Sequence, residues 1–381
     1  MFSTVSFLAL LALSPWACTD PYGTTEQAVI DPATPWVKHT VAASLNGADG
    51  HVSADLTGDG LPDLVVGWEE SSKVTAYAAP DWTLLASYNH SSVEDVLACD
   101  LDLDGAPDIL SFGEDKKIRA ARNLGGSFAA AIVIGAATNV EQWTTGACGA
   151  VGGDGRRYVY AGGRVASAGK VLGVYRFATT TPWVAASWTR TLVTPAGWTM
   201  TLDVYGDGLF LTDRLQAAPT VNGVRLITPL LSGWTSTQLA AVADGCLPRF
   251  GSNDGTDLLW GCVKESDQTS KLWLNGVQVP YPAPAGPYQD SVLADFNQDG
   301  NPDIAVTTGE VGGNIQPTTW PGVFLLLGDG AGGWTFAAVS GPTGGKWDEI
   351  EARDTDGDGD LDITTTEQRL LYGAVIYENP L

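Results

Sequence analysis

The chain has 381 residues, with 44 acidic against 20 basic side chains and a formal net charge of −24. So negative a field argues against nucleic acid and anionic membrane surfaces as partners. A hydrophobic content of 44%, 46 glycines and short strand-like runs between turn residues fit an all-β protein.

Residues 1–17, "MFSTVSFLALLALSPWA", read as a signal peptide whose apolar run is too short to span a bilayer. Cys18 follows as at a bacterial lipoprotein attachment site, although Pro15 and Trp16 depart from the usual pattern. Lipid anchoring and plain secretion both stay open, and any membrane link would run through that lipid. Residues 18–35 are polar, carry three prolines and read as a tether.

From Trp36 onward a single word recurs. "DLTGDGLPDLVVG" (55–67), "DLDLDGAPDILSF" (100–112), "DFNQDGNPDIAVTTG" (295–309) and "DTDGDGDLDITTTE" (354–367) each place Asp at positions 1, 5 and 9 and Gly at position 6. Weaker copies at 154–155, 207–208 and 254–255 keep the Asp-Gly turn and bring the count to seven. A period near 50 residues with several short strands per unit predicts propeller blades. A second signal runs in step with the first. An aromatic residue opens a short strand at Trp36, Trp82, Phe128, Trp188, Trp234 and Trp334, and the segment near Val277 supplies a seventh. The strand at Trp36 precedes the first loop, and the last repeat has no such strand after it. Ring closure by Trp36–Thr40 resolves both facts and removes an open sheet edge. The expectation is a seven-bladed β-propeller of four-stranded blades over residues 36–381.

Oxygen ligands at alternating positions, with a glycine for the sharp turn, suit calcium. An EF-hand would need glutamate at position 12, where Val66, Ser111, Val306 and Thr365 stand instead. A calcium loop between two strands, closed by the Asp at position 9, is expected in its place. The expected ligands of the first loop are Asp55, Thr57, Asp59, the Leu61 carbonyl and Asp63. Those of the second are Asp100, Asp102, Asp104, the Ala106 carbonyl and Asp108. The sixth offers Asp295, Asn297, Asp299, the Asn301 carbonyl and Asp303, and the seventh Asp354, Asp356, Asp358, the Asp360 carbonyl and Asp362. About four structural Ca²⁺ are therefore expected, offsetting only a third of the net charge.

Four cysteines remain after Cys18. Cys246 and Cys262 flank the fifth turn on strands that should pair antiparallel, and a disulfide is expected there. Cys99 and Cys148 occupy similar places in adjacent blades and make a weaker pair. No GxSxG, HExxH or phosphate-binding loop is present. Of the three histidines, only His51 belongs to an inner strand.

On the four full loops, the sequence resembles the FG-GAP/VCBS repeat family, whose calcium loops also occur in integrin α-subunit heads. Its end, "SGPTGGKWDEIEARDTDGDGDLD" followed by "VIYENP", is similar to the terminal blade of secreted bacterial members. The resemblance implies that the loops lie on one face and a ligand rim on the other. Counted from the loops, that rim would hold Asp49, Glu69, Glu94, Arg164, Trp198, Arg214, Lys264, Asp290, Glu310, Asp348 and Glu367, with Trp68, Trp143 and Trp347 near the same end. Carboxylates beside aromatic faces suit sugar binding, and a basic side suits an acidic ligand.

The function expected is an exported, monomeric calcium-binding module for binding or adhesion at the bacterial surface, with a carbohydrate or protein ligand. A polysaccharide lyase is the rival, and would need Arg164, Arg214 and His51 to cluster. A purely structural role is the third reading.

Overall fold

The computed structural model describes residues 30–136, 141–150, 157–165, 173–214, 223–241, 246–264, 266–282, 285–310, 320–369 and 372–381. The signal peptide, Cys18, most of the tether and the third Asp-Gly turn lie outside the described residues. Seven antiparallel four-stranded sheets form the blades. Their first strands are Ala48–Ala54, Val93–Cys99, Glu141–Gly149, Trp198–Tyr205, Cys246–Asn253, Tyr288–Ala294 and Trp347–Arg353. Each touches the first strand of the next blade, and blade 7 touches blade 1, so these strands ring the central axis.

The second strands carry the core. Asp63–Trp68, Asp108–Gly113, Asp303–Thr308 and Asp362–Glu367 are buried at every residue. A strand covered by neighbouring blades on both faces has no polar face to show, which is why these segments read as unbroken β-branched and apolar runs. Trp68, Trp143 and Trp347 are fully buried with them. Trp143, for example, meets Tyr175 and Phe177 edge-on within the seam between blades 2 and 3. These three tryptophans therefore belong to the packing and not to a ligand rim.

The ring closes as the unpaired first strand requires. Val37–Ala42 is the outer strand of blade 7 and pairs antiparallel with Gly373–Glu378. Packing starts earlier than Trp36, however. Ile30 is buried in the same cluster as Trp36, and the Ala338 amide donates to the Pro32 carbonyl. The end of the segment assigned to the tether therefore touches the ring through Ile30 and Pro32.

Two disulfides are present. Cys246–Cys262 joins the first two strands of blade 5, with Cα atoms 5.6 Å apart. Cys99–Cys148 links the first strands of blades 2 and 3, with Cα atoms 6.2 Å apart. The second is the weaker of the two expected pairs, and it staples adjacent blades together. Replacing Cys99 and Cys148 together by Ser should lower unfolding free energy by about 2–4 kcal/mol in denaturant titration.

Every first strand carries a β-bulge near its start. The register shifts between Ala48 and His51, Val93 and Asp95, Trp143 and Thr145, Thr199 and Thr201, Pro248 and Gly251, Tyr288 and Ser291, and Trp347 and Ile350. A bulge re-aims side chains locally. Repeated seven times around the axis, it sets what faces the ring's upper mouth.

Candidate functional site

At the lower end, the four full loops share one architecture. The position-1 aspartate accepts loop amides: Asp354 takes those of Gly357 and Gly359 at 2.7 and 3.1 Å, and Asp55 takes those of Gly58 and Gly60 at 2.6 and 3.0 Å. The position-6 glycines Gly60, Gly105, Gly300 and Gly359 all have φ between 84° and 101°, where a side chain would be strained. The position-9 aspartate is buried and spans two segments. Asp63 accepts the Leu56 and Thr57 amides with one oxygen and the Ala79 amide with the other. Asp108, Asp303 and Asp362 do the same toward Asn123, Gly328 and Asn379.

The loops differ in how well they suit a cation. In loop 7, oxygens of Asp354, Asp356 and Asp358 lie within 4.8 Å of one another. Asp360, expected to act through its carbonyl, has its own buried Oδ1 without a partner among the described residues. Burial first, and then Asp358, Asp362, Asp356 and Asp354, push its carboxyl up to about 7. In loop 2, Asp100, Asp102 and Asp108 converge in the same way. There the Arg122 guanidinium sits 2.7 Å from Asp102 and 3.2 Å from Asp104, already supplying positive charge. Blade 4 departs further. Tyr205 pairs with Gly208 across a turn of Gly206 and Asp207, too tight to wrap an ion.

At the opposite end, a cavity of ≈ 360 Å³ receives side chains from all seven blades. One wall is acidic. Asp49, Glu69 and Glu94 bring carboxylate oxygens within 4.8 Å of one another. Beside them, Lys346 Nζ lies 2.9 Å from Asp348, 3.5 Å from Asp49 and 2.7 Å from Gln368 Oε1. The Gln368 amide donates to Glu69 at 2.6 Å. Burial, followed by Asp49 and Glu69, pushes the Glu94 carboxyl well above the usual carboxylate range.

The other wall is basic and aromatic. The guanidinium carbons of Arg164 and Arg214 lie 4.7 and 4.9 Å from the Trp198 ring centre. Arg164 pairs closely with Glu114, and Arg214 donates to the Pro248 carbonyl at 2.8 Å. Arg249 lines the same side.

Of the residues counted into the rim, Asp49, Glu69, Glu94, Arg164, Trp198, Arg214, Glu310 and Asp348 line this cavity. Three do not. Lys264 pairs with Asp267 at 2.7 Å, away from the axis. Glu367 is buried and accepts the Lys346 and Arg369 amides at 3.2 and 2.9 Å. Asp290 turns into the channel below, where it accepts the Ile350 amide of blade 7 at 3.3 Å. The bulge explains this last case: it splits Gln289 from Asp290 and Asp348 from Glu349, sending the first of each pair up and the second down. Met200, Arg249, Lys346, Gln368 and Arg369 line the cavity without having been anticipated. Arg249 sits at the bulge of its blade and was findable by aligning bulge positions, whereas Lys346 and Arg369 lie outside the strands and follow no period.

A second cavity of ≈ 380 Å³ occupies the channel below. His51 lies here, its Nε2 3.0 Å from Thr364 Oγ1, and burial lowers its basicity. It shares no wall with Arg164 and Arg214, so the grouping that a lyase reading required does not form. Asp95, in the same channel, accepts the Gly146 amide of the next blade at 2.8 Å, yet burial raises its carboxyl to about 7. A folded-state value above the unfolded one stabilises at low pH and loses that stabilisation as pH climbs from about 4 through 7. Asp95→Asn keeps the acceptor and removes the titration. It should flatten the decline of unfolding free energy between pH 5 and pH 8, by on the order of 2 kcal/mol, in denaturant melts at each pH.

Comparison with known proteins agrees with this architecture. Residues 295–365 match a family model described as an FG-GAP-like repeat. That span runs from the loop of blade 6 into the second strand of blade 7. Among solved structures, the chain is similar to BBS1N in complex with ARL6DN, soaked with lead, at 12% identity and a TM-score of 0.55, covering 90% of this chain and 96% of that one. The mercury-soaked form of that complex gives 13% identity and a TM-score of 0.56, covering 91% and 97%. The Neurospora crassa Pan2 WD40 domain gives 9% identity and a TM-score of 0.54, covering 88% and 90%. At such identities the likeness concerns the propeller fold alone. No curated protein matches the sequence.

Proposed function

We propose that the protein is an exported binding or adhesion module, stabilised by calcium in its Asp-Gly loops, that holds a carbohydrate or protein ligand in the upper cavity. The observation that carries this reading is the Arg164–Trp198–Arg214 stack facing a carboxylate wall, in a cavity to which every blade contributes. An aromatic face with polar groups converging around it is what a ligand site needs, and a stack held by the Arg164–Glu114 pair and the Arg214 bond to Pro248 is pre-formed. Calcium is supported by the converging carboxylates of loop 7 and the partnerless Asp360 oxygen. There Asp354, Asp356, Asp358 and Asp362 would hold the ion, and the ion would cancel the repulsion among them. Two disulfides support passage through an oxidising compartment.

The test is binding to immobilised polysaccharides and extracellular proteins by the native chain and by Trp198→Ala. A tenfold or greater loss of affinity in Trp198→Ala, with an unchanged melting temperature, is the expected result. Binding that is indifferent to Trp198 would place the ligand elsewhere and reject the cavity as its seat.

A further inference from the structure

The upper cavity is polarised, and its acidic wall holds buried acceptors that meet no donor among the described residues. Among the described residues Glu94 has no hydrogen-bond or ion-pair donor, although its carboxylate lies within 4.8 Å of Asp49 and Glu69. Asp348, 1% exposed, packs its carboxyl against that of Asp49, and its Oδ2 meets no donor. Gln289 Oε1, also buried in this lining, meets none either. These atoms are all acceptors. Lys346 lies among them with its ammonium already divided between Asp348, Gln368 and Asp49. Arg369 stands beside Glu69, paired with Glu70 and Glu310.

We infer that the ligand presents a cationic nitrogen to Asp49, Glu69 and Glu94 and a carboxylate to the guanidinium wall of Arg164 and Arg214, and so is zwitterionic. This deepens the binding reading and rests on it.

The spacing accommodates a nitrogen, and the neighbouring lysine favours it over a divalent metal. Three oxygens no more than 4.8 Å apart leave a central point no more than about 2.8 Å from each. That is the length of a charge-assisted N–H···O bond, and an ammonium has three donors for three carboxylates. Calcium would ask for six to eight oxygens at roughly 2.3–2.6 Å, beside a lysine ammonium that repels a divalent charge. Across the cavity, Arg164 and Arg214 present planar donors against Trp198, the arrangement that recognises carboxylates. A ligand with both charges would contact both walls, whereas one with a single charge would contact only one.

Four sugars of similar shape separate the terms: muramic acid with both charges, glucosamine with only the cation, galacturonic acid with only the anion, and N-acetylglucosamine with neither. Titration calorimetry in millimolar CaCl₂ should rank muramic acid tightest and N-acetylglucosamine weakest. Glu94→Gln should weaken muramic acid and glucosamine at least tenfold and leave galacturonic acid within twofold. Galacturonic acid binding as tightly as muramic acid, with Glu94→Gln changing neither, would overturn the inference while leaving a Trp198-dependent binding module intact. Binding by none of the four would overturn it too, whatever the immobilised ligands show. So would a fall in bound calcium on Glu94→Gln, because the acidic corner would then be a metal site.

Discussion

A chain that begins at Ala43 should show no sharp thermal transition, or one lowered by well over 10 °C, because it lacks the closure of its ring. Val37–Ala42 supplies the outer strand of blade 7, and without it Gly373–Glu378 becomes an open edge at the point where the two ends of the chain meet. The segment before it is also lost from the core. Trp36 packs edge-on against Phe296 at 6.1 Å, and Ile30 joins the same cluster of blades 6 and 7. Burying two such side chains contributes about 2–3 kcal/mol each, before any effect of the exposed edge. The milder Trp36→Ala should cost about 3–5 kcal/mol, read as a fall of roughly 4–7 °C for a chain of this size. Differential scanning calorimetry on both variants checks the argument. A native melting temperature in the shortened chain would show that blade 7 closes without its outer strand.

The second large effect should come from one asparagine. Asn379 is 3% exposed, and its side-chain amide donates to the Phe296 carbonyl of the neighbouring loop at 3.0 Å and to the Leu361 carbonyl of its own at 3.1 Å. Asn123 makes the same pair of bonds, to Leu56 at 2.8 Å and Pro107 at 3.1 Å. Each is a latch between consecutive loops. Asn379→Ala removes the donor from two carbonyls in a largely buried seam, at a cost of about 2–4 kcal/mol. Asn379→Asp should be worse than Ala, since a carboxylate would face two carbonyl oxygens. Urea unfolding of both variants checks the order. An alanine variant within 0.5 kcal/mol of the parent, or an aspartate variant above it, would refute the latch.

The ring was legible because the sequence repeats it. The Asp-Gly words mark the turn between the first two strands of a blade, and the aromatic openings mark the outer strands, down to the short Val277–Val279. The lone strand at Trp36 signalled closure. What stayed hidden has a physical cause in each case. A bulge inserts a residue without changing composition, so fixed offsets from the loops cannot tell Asp348 from Glu349, although one faces the upper cavity and the other the channel. Lys346 and Arg369 sit between strands, where no period constrains them. The Asn379 latch connects different blades, and a repeat read one unit at a time carries no sign of what joins units. Ile30 lies in a segment whose prolines and polar residues mask its docking.

Calorimetric melting of residues 19–381 in EDTA and in millimolar CaCl₂, with bound calcium counted, tests most directly the claim that the ring is held by calcium loops. With about four sites of roughly 10⁻⁴ M affinity, saturation should add on the order of 2 kcal/mol per site and raise the melting temperature by about 10 °C. The count should be about four ions per chain, and Asp358→Asn should remove one of them. An unchanged melting temperature with no bound calcium would contradict the account and leave the Asp-Gly words as turns alone.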